Sequence, residues 1–175
     1  IAAFIDAIAG GGGLITIPAL LMTGMPPAMA LGTNKLQAFG GALSASIYFL
    51  RKRAVNLSEF SFILLVIFIG SVIGTLLIQS LDASLIKKGL PFLILVIGLY
   101  FLFTPKLGES DRKQRISYGV FALCFGSLLG FYDGFFGPGT GSLMNLACVT
   151  LLGFNLTKAT AHAKVMNLTS NFASL

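Results

Sequence analysis

Phe4-Ile5-Asp6-Ala7-Ile8-Ala9-Gly10-Gly11-Gly12-Gly13 sets an acid and four consecutive glycines inside apolar sequence, with Gly24 and Lys35 further on. Phe131-Tyr132-Asp133-Gly134-Phe135-Phe136-Gly137-Pro138-Gly139-Thr140-Gly141 repeats the arrangement, and Gly153 and Lys164 follow it. Asp6 and Asp133 lie 127 positions apart, Lys35 and Lys164 129. The copies therefore align with a two-residue insertion between the glycines and the lysine. Phe4/Phe131, Gly10/Gly137, Gly12/Gly139 and Ala30/Ala159 match as well. An internal duplication built around interrupted hydrophobic segments points to the binding site of a secondary transporter.

The composition agrees. The chain is 55% hydrophobic and 10% charged, with a mean hydropathy of +0.90. A soluble domain carries about 25% charged residues, so the expectation is an all-α polytopic membrane protein with the lipid bilayer as its partner. At roughly 20 apolar residues per span, the length allows about six transmembrane segments. The net charge of +6 does not suggest nucleic acid, because the basic residues sit between hydrophobic runs, as in cytoplasmic loops. They form two clusters, Arg51-Lys52-Arg53 and Lys106 with Arg112, Lys113 and Arg115. Cys124 and Cys148 lack metal-type spacing and read as small buried side chains. The chain opens at Ile1 inside an apolar segment and stops at Leu175 inside the second copy, so a longer parent is expected. Ile1–Ala9 is too short and lacks the basic flank of a signal peptide.

Two short apolar pieces, Ile1–Ala9 and Leu14–Met22, flank the first break. Spans are expected over Met29–Leu50, over Phe60–Leu81 and up to Phe103. Residues 1–103 then form a first transmembrane repeat, 104–115 a cytoplasmic loop and 116–175 an incomplete second repeat. Ile116–Tyr132 and Leu143–Leu152 flank the second break, and Thr157–Leu175 opens the last span. The richer basic loops place 51–59 and 104–115 in the cytoplasm, with Tyr48, Tyr100 and Tyr118 at cytoplasmic ends. If each broken segment crosses once, the repeats are parallel; if the breaks are re-entrant hairpins, that inference fails.

Only four ionisable acids and bases lie well inside apolar sequence: Asp6, Asp133, Lys35 and Lys164. Each costs roughly 2.5–3.5 kcal/mol at the bilayer centre, on the order of ten for four, so they must pair or face a wet cavity. The bland alternative is one Asp–Lys pair inside each copy that only locks helices. Half-helices starting after Gly11-Gly12-Gly13 and after Gly139-Thr140-Gly141 would aim free N–H groups and positive dipole ends into such a cavity. An end of that kind binds anions. Thr140 and Ser142 would add hydroxyl donors. Close helix packing is the rival use of the glycines. Neither run fits a P-loop or a dinucleotide fingerprint, and no cofactor or metal site is expected. Thr33, Asn34 and His162 approach the lysines, and Asn167 and Asn171 share a helix face with Lys164. His162 reads equally as a titrating group or a hydrogen-bond anchor. Ser142 and His162 do not form a Gly-x-Ser-Gly elbow, so an intramembrane hydrolase is set aside and no catalytic residue is assigned.

Phe4 to Leu20 with Ala30-Leu31-Gly32-Thr33-Asn34-Lys35-Leu36-Gln37 resembles the first signature of the TauE/SafE sulfite exporter family. Gly130 to Gly141 with Lys158-Ala159-Thr160-Ala161-His162-Ala163-Lys164 is similar to its second. The resemblance covers the whole chain. It implies a multi-pass bacterial inner-membrane protein with a duplicated four-helix repeat, truncated here, that moves small anions such as sulfite, thiosulfate or organosulfonates. The expected mechanism is alternating access about Lys35 and Lys164, with Thr33, Asn34 and His162 tuning selectivity. Asp6 and Asp133 would orient the lysines or carry a coupling proton. A passive anion channel and a membrane assembly protein are the other readings.

Overall fold

The computed structural model describes residues 2–103 and 110–175, and every regular element among them is helical. In chain order these are α1 (Ala2–Ala9), α2 (Gly13–Met22), α3 (Pro27–Arg51), α4 (Leu57–Gln79) and α5 (Ala83–Phe103). After them come α6 (Tyr118–Phe135), α7 (Thr140–Leu151) and α8 (Leu156–Ala173). Residues 104–109 of the expected loop 104–115 lie outside the described residues, as does the Tyr100 side chain.

Local chemistry sets the helix ends. Asn56 caps α4 by accepting from Ser58 N at 3.2 Å, and Asn155 caps α8 by accepting from Lys158 N at 2.9 Å. A side-chain oxygen there satisfies one of the four donors a helix start leaves open. Pro27 opens α3, where its missing N–H costs nothing. The breaks end α1 and α6 through Gly10 at φ +79° and Gly137 at φ +89°, and Gly139 follows at φ +75°. Side chains rarely adopt that left-handed region.

Close packing of glycines holds the bundle together. Gly70 and Gly74 on α4 face Gly130 and Gly134 on α6. A Cβ at Gly130 would lie 2.8 Å from Ile67 Cα, and one at Gly134 would lie 2.7 Å from the Ser71 carbonyl carbon. Small residues four apart let two backbones meet in this way. The rival use of glycine therefore exists, and its seam along α4 and α6 runs up to the turn that precedes the second break.

Outside the seam, large apolar side chains face outward: Phe4, Leu65, Leu76, Phe92, Leu123 and Leu128 are all exposed. A soluble monomer rarely shows that much apolar surface. Among the described residues, α4 and α6 are long and apolar enough to cross a membrane. Cys148 is buried as expected, but Cys124 belongs to the outward face of α6 and is exposed.

The directions of the helices differ from one crossing per broken segment. Arg112 N donates to Gly153 O at 2.7 Å and Arg115 N to Leu151 O at 2.9 Å. The end of α7 is thus tied to the strap that leads into α6, so α6 and α7 are two legs of a hairpin turning at 136–139. In the first break, Gly12 sits against Asp6 and Ala2, so the chain doubles back along α1. Ile17 and Leu21 of α2 then pack with Ile78 of α4 and Ile86 of α5, at the end of the bundle opposite Arg51 and Arg112. The α3 and α8 helices run antiparallel: Phe39 meets Phe172, while Phe49 and Leu50 pack near Ala161 and Val165. The two hairpins enter from opposite ends. A sequence cannot reveal this, because a glycine run breaks a helix without saying which way the chain leaves it.

Candidate functional site

The two breaks meet. A Cβ at Gly10 would lie 2.7 Å from Gly141 Cα, and one at Gly13 would lie 3.3 Å from Pro138 Cα. The starts of α2 and α7 are therefore neighbours at the middle of the bundle. Helix starts carry partial positive charge and unpaired N–H groups.

Each lysine reaches across to the other copy. Lys35, on α3 and 5% exposed, forms an ion pair with Asp133 Oδ1 at 3.0 Å and also donates to Asp133 O. Lys164, on α8 and 2% exposed, donates to Asp6 O. The alternative of one Asp–Lys pair inside each copy is not what the structure shows: each lysine contacts the aspartate of the other copy. The reason is positional. Asp6 and Asp133 sit in the last turns of α1 and α6, the negative ends of the two helix dipoles, where a cation is favoured; the Asp6 carbonyl also accepts from Gly10 N at 2.8 Å.

The two carboxylates are held differently. Asp133 Oδ2 accepts from Ser170 Oγ on α8, a residue the sequence reading passed over. Asp6 Oδ1 accepts from Gly12 N at 3.0 Å, and Asp6 Oδ2 is buried with no hydrogen-bond partner among the described residues. The position matching Ser170 in the first copy is Gly41, which has no side chain to offer. The alignment of the copies was the signal that could have exposed this inequality.

The remaining candidates divide. Asn34 is buried with its amide against Gly13, and Gly11 lies beside Ser142. Asn167 and Asn171 are buried on α8, as is Lys164. Gly12 has its N–H engaged by Asp6, and the Thr140 hydroxyl donates to Gly137 O at 2.9 Å, so neither is open as drawn. Thr33 is exposed beside Met25, because two residues' separation turns it to the far side of α3 from Lys35. His162 likewise points away from Lys164. Its ring lies 4.6 Å from that of Phe60 and 4.7 Å from that of Phe154, and its Nδ1 is bonded to Lys158 O at 2.8 Å. It is an anchor within an aromatic cluster.

A cavity of about 110 Å³ touches Lys35, lined also by Leu31, Thr75, Gln79, Gly134 and Ser174. At about 30 Å³ per water it holds three or four waters, or one small anion.

The pattern of the family described as "Sulfite exporter TauE/SafE" matches residues 1–175. A "Probable membrane transporter protein" of Haemophilus influenzae is 78% identical over 174 residues, 99% of this chain and 68% of its own length. "Probable membrane transporter protein YfcA" of Escherichia coli K12 is 58% identical over 176 residues, 100% of this chain and 65% of its own. "Probable membrane transporter protein ORF9" of a Sinorhizobium species is 50% identical over 171 residues, 98% and 66%. The chain thus spans about two thirds of the length of these relatives. No solved structure matches it.

Proposed function

The chain belongs to the TauE/SafE sulfite exporter family, and from that premise we propose that it is part of a secondary transporter of small anions, sulfur oxyanions such as sulfite or organosulfonates among them. The observation that carries the proposal is the convergence of two buried lysines on two helix breaks that touch each other. Buried cations within membrane-crossing helices are expensive unless used, and a helix start beside them adds donors for oxyanion oxygens.

In this reading α3, α4, α5 and α8 cross the bilayer of a bacterial inner membrane, and the hairpins α1–α2 and α6–α7 enter it from opposite faces. The two copies are then inverted repeats, since three crossings separate equivalent helices. The basic strap at Arg112–Arg115 and the cluster at Arg51–Arg53 lie on the cytoplasmic face. Lys35, Lys164 and Asn34 bind the anion together with the N–H groups of Gly11, Gly13, Gly139 and Gly141. Thr33 and His162 have no part in it. The cavity beside Lys35 is the approach from the periplasmic face, and rocking of one hairpin against the other exchanges access.

The test is uptake into proteoliposomes of the full-length parent protein, with sulfite, thiosulfate, sulfoacetate and sulfate offered with and without a pH gradient. Saturable uphill accumulation of one of them, abolished by an uncoupler, is the expected result. Flux that only dissipates a gradient indicates a channel, and no flux at all overturns the transport reading.

A further inference from the structure

The two halves of the site carry the same residue types but not the same bonding. Asp133 has both oxygens engaged, by Lys35 and by Ser170, so its negative charge is compensated where it lies. Asp6 has one oxygen on a backbone N–H and the other buried without a partner. Lys164 touches the Asp6 carbonyl, and among the described residues Lys35–Asp133 is the only ion pair. An ionised carboxylate needs both oxygens solvated or bonded, and a buried unsatisfied one costs several kcal/mol in a weakly polar interior. A neutral carboxyl needs less.

We propose that Asp6 is the proton-carrying carboxyl of this site, protonated on Oδ2 at neutral pH, while Asp133 is the fixed ion-pair partner of Lys35. The role of this proton in coupling rests on the transport reading; its presence does not. The charged groups that reach Asp6 are Lys164 on α8 and Asp133 at the end of α6. Lys35 on α3 is held by Asp133. The α2 and α7 helices carry no charged side chain.

The charge count gives the consequence. Lys35 and Asp133 cancel, so with Asp6 neutral the centre carries the single positive charge of Lys164 and suits one monoanion. When Asp6 Oδ2 releases its proton to water at an opened face, the centre becomes neutral and the monoanion is no longer held. One proton then travels with one monoanion, which is electroneutral symport.

Infrared difference spectroscopy of the purified full-length protein tests the protonation directly. A protonated-carboxyl C=O band, shifted by deuterium exchange and bleached as pH is raised, is expected at neutral pH. It should vanish in Asp6→Asn, move in Asp6→Glu and persist in Asp133→Asn. Absence of the band in the unaltered protein overturns the proposal, as does its survival in Asp6→Asn or its loss only in Asp133→Asn. A parallel assay follows proton entry with sulfite in proteoliposomes. No sulfite flux there tells against sulfite transport and leaves the infrared result to decide the proton.

Discussion

Replacing Lys35 by Met would remove the cation from an ion pair whose partner, Asp133, is 2% exposed. The thioether keeps most of the side-chain volume, so the loss is chiefly electrostatic. Asp133 would keep the Ser170 hydroxyl on Oδ2 but have nothing on Oδ1, and the last-turn carbonyl of α6 would lose its donor as well. Breaking a buried pair by removing one partner costs about 3–5 kcal/mol, which is roughly two to three and a half orders of magnitude in the unfolding equilibrium. Adding Asp133→Asn to the first change removes the uncompensated charge and leaves an amide that still accepts from Ser170. The double variant should therefore regain about half or more of the loss, since replacing both members of a buried pair is often near neutral. Reversible unfolding of the full-length protein in mixed micelles, run as a double-mutant cycle, measures both quantities. If Lys35→Met were as stable as the starting protein, or the double variant no better than the single, the pair would not join the two copies as described.

Other consequences can be measured with the same preparation. Gly134→Ala drives a methyl into the Ser71 backbone and should cost about 1–3 kcal/mol by overpacking. Gly40→Ala, with open space around it, should be neutral or stabilise by up to about 1 kcal/mol through helix propensity; equal effects at the two sites would refute the α4–α6 seam. His162→Phe keeps the packing against Phe60 and Phe154 and loses one hydrogen bond, so about 1 kcal/mol of stability should go while anion uptake stays within about twofold. Abolished uptake would return His162 to the binding site. In a background with Cys124 and Cys148 replaced, cysteines at Thr23 and Thr157, both exposed just beyond the hairpins, should react with impermeant thiol reagents from opposite faces of the membrane. Labelling from one face would contradict hairpins that enter from opposite ends.

The features legible in the sequence were those written in residue type. Asp6, Asp133, Lys35 and Lys164 stood out because charge is rare in apolar sequence, and all four are buried at the middle of the bundle. The breaks were legible too, since only glycine takes the backbone of Gly10, Gly137 and Gly139 without strain. The relations in space were not. That Lys35 serves Asp133 depends on α3 lying against the second hairpin, and a chain of helices offers many such neighbours. The four-residue spacing of Gly70/Gly74 and Gly130/Gly134 is written in the sequence, but not that these two helices meet. Thr33 and His162 neighbour the lysines in sequence, but a helix turns a residue two positions away to its opposite face.

The most direct test of the account is sulfite uptake by the full-length protein in proteoliposomes, compared among Lys35→Ala, Lys164→Ala and Lys52→Ala. The first two remove a buried cation from the centre, while Lys52 is exposed at the end of α3. The account predicts uptake in the Lys52 variant and its loss in the other two, with all three still present in the membrane. Undiminished uptake in both buried-lysine variants would contradict a site built on Lys35 and Lys164.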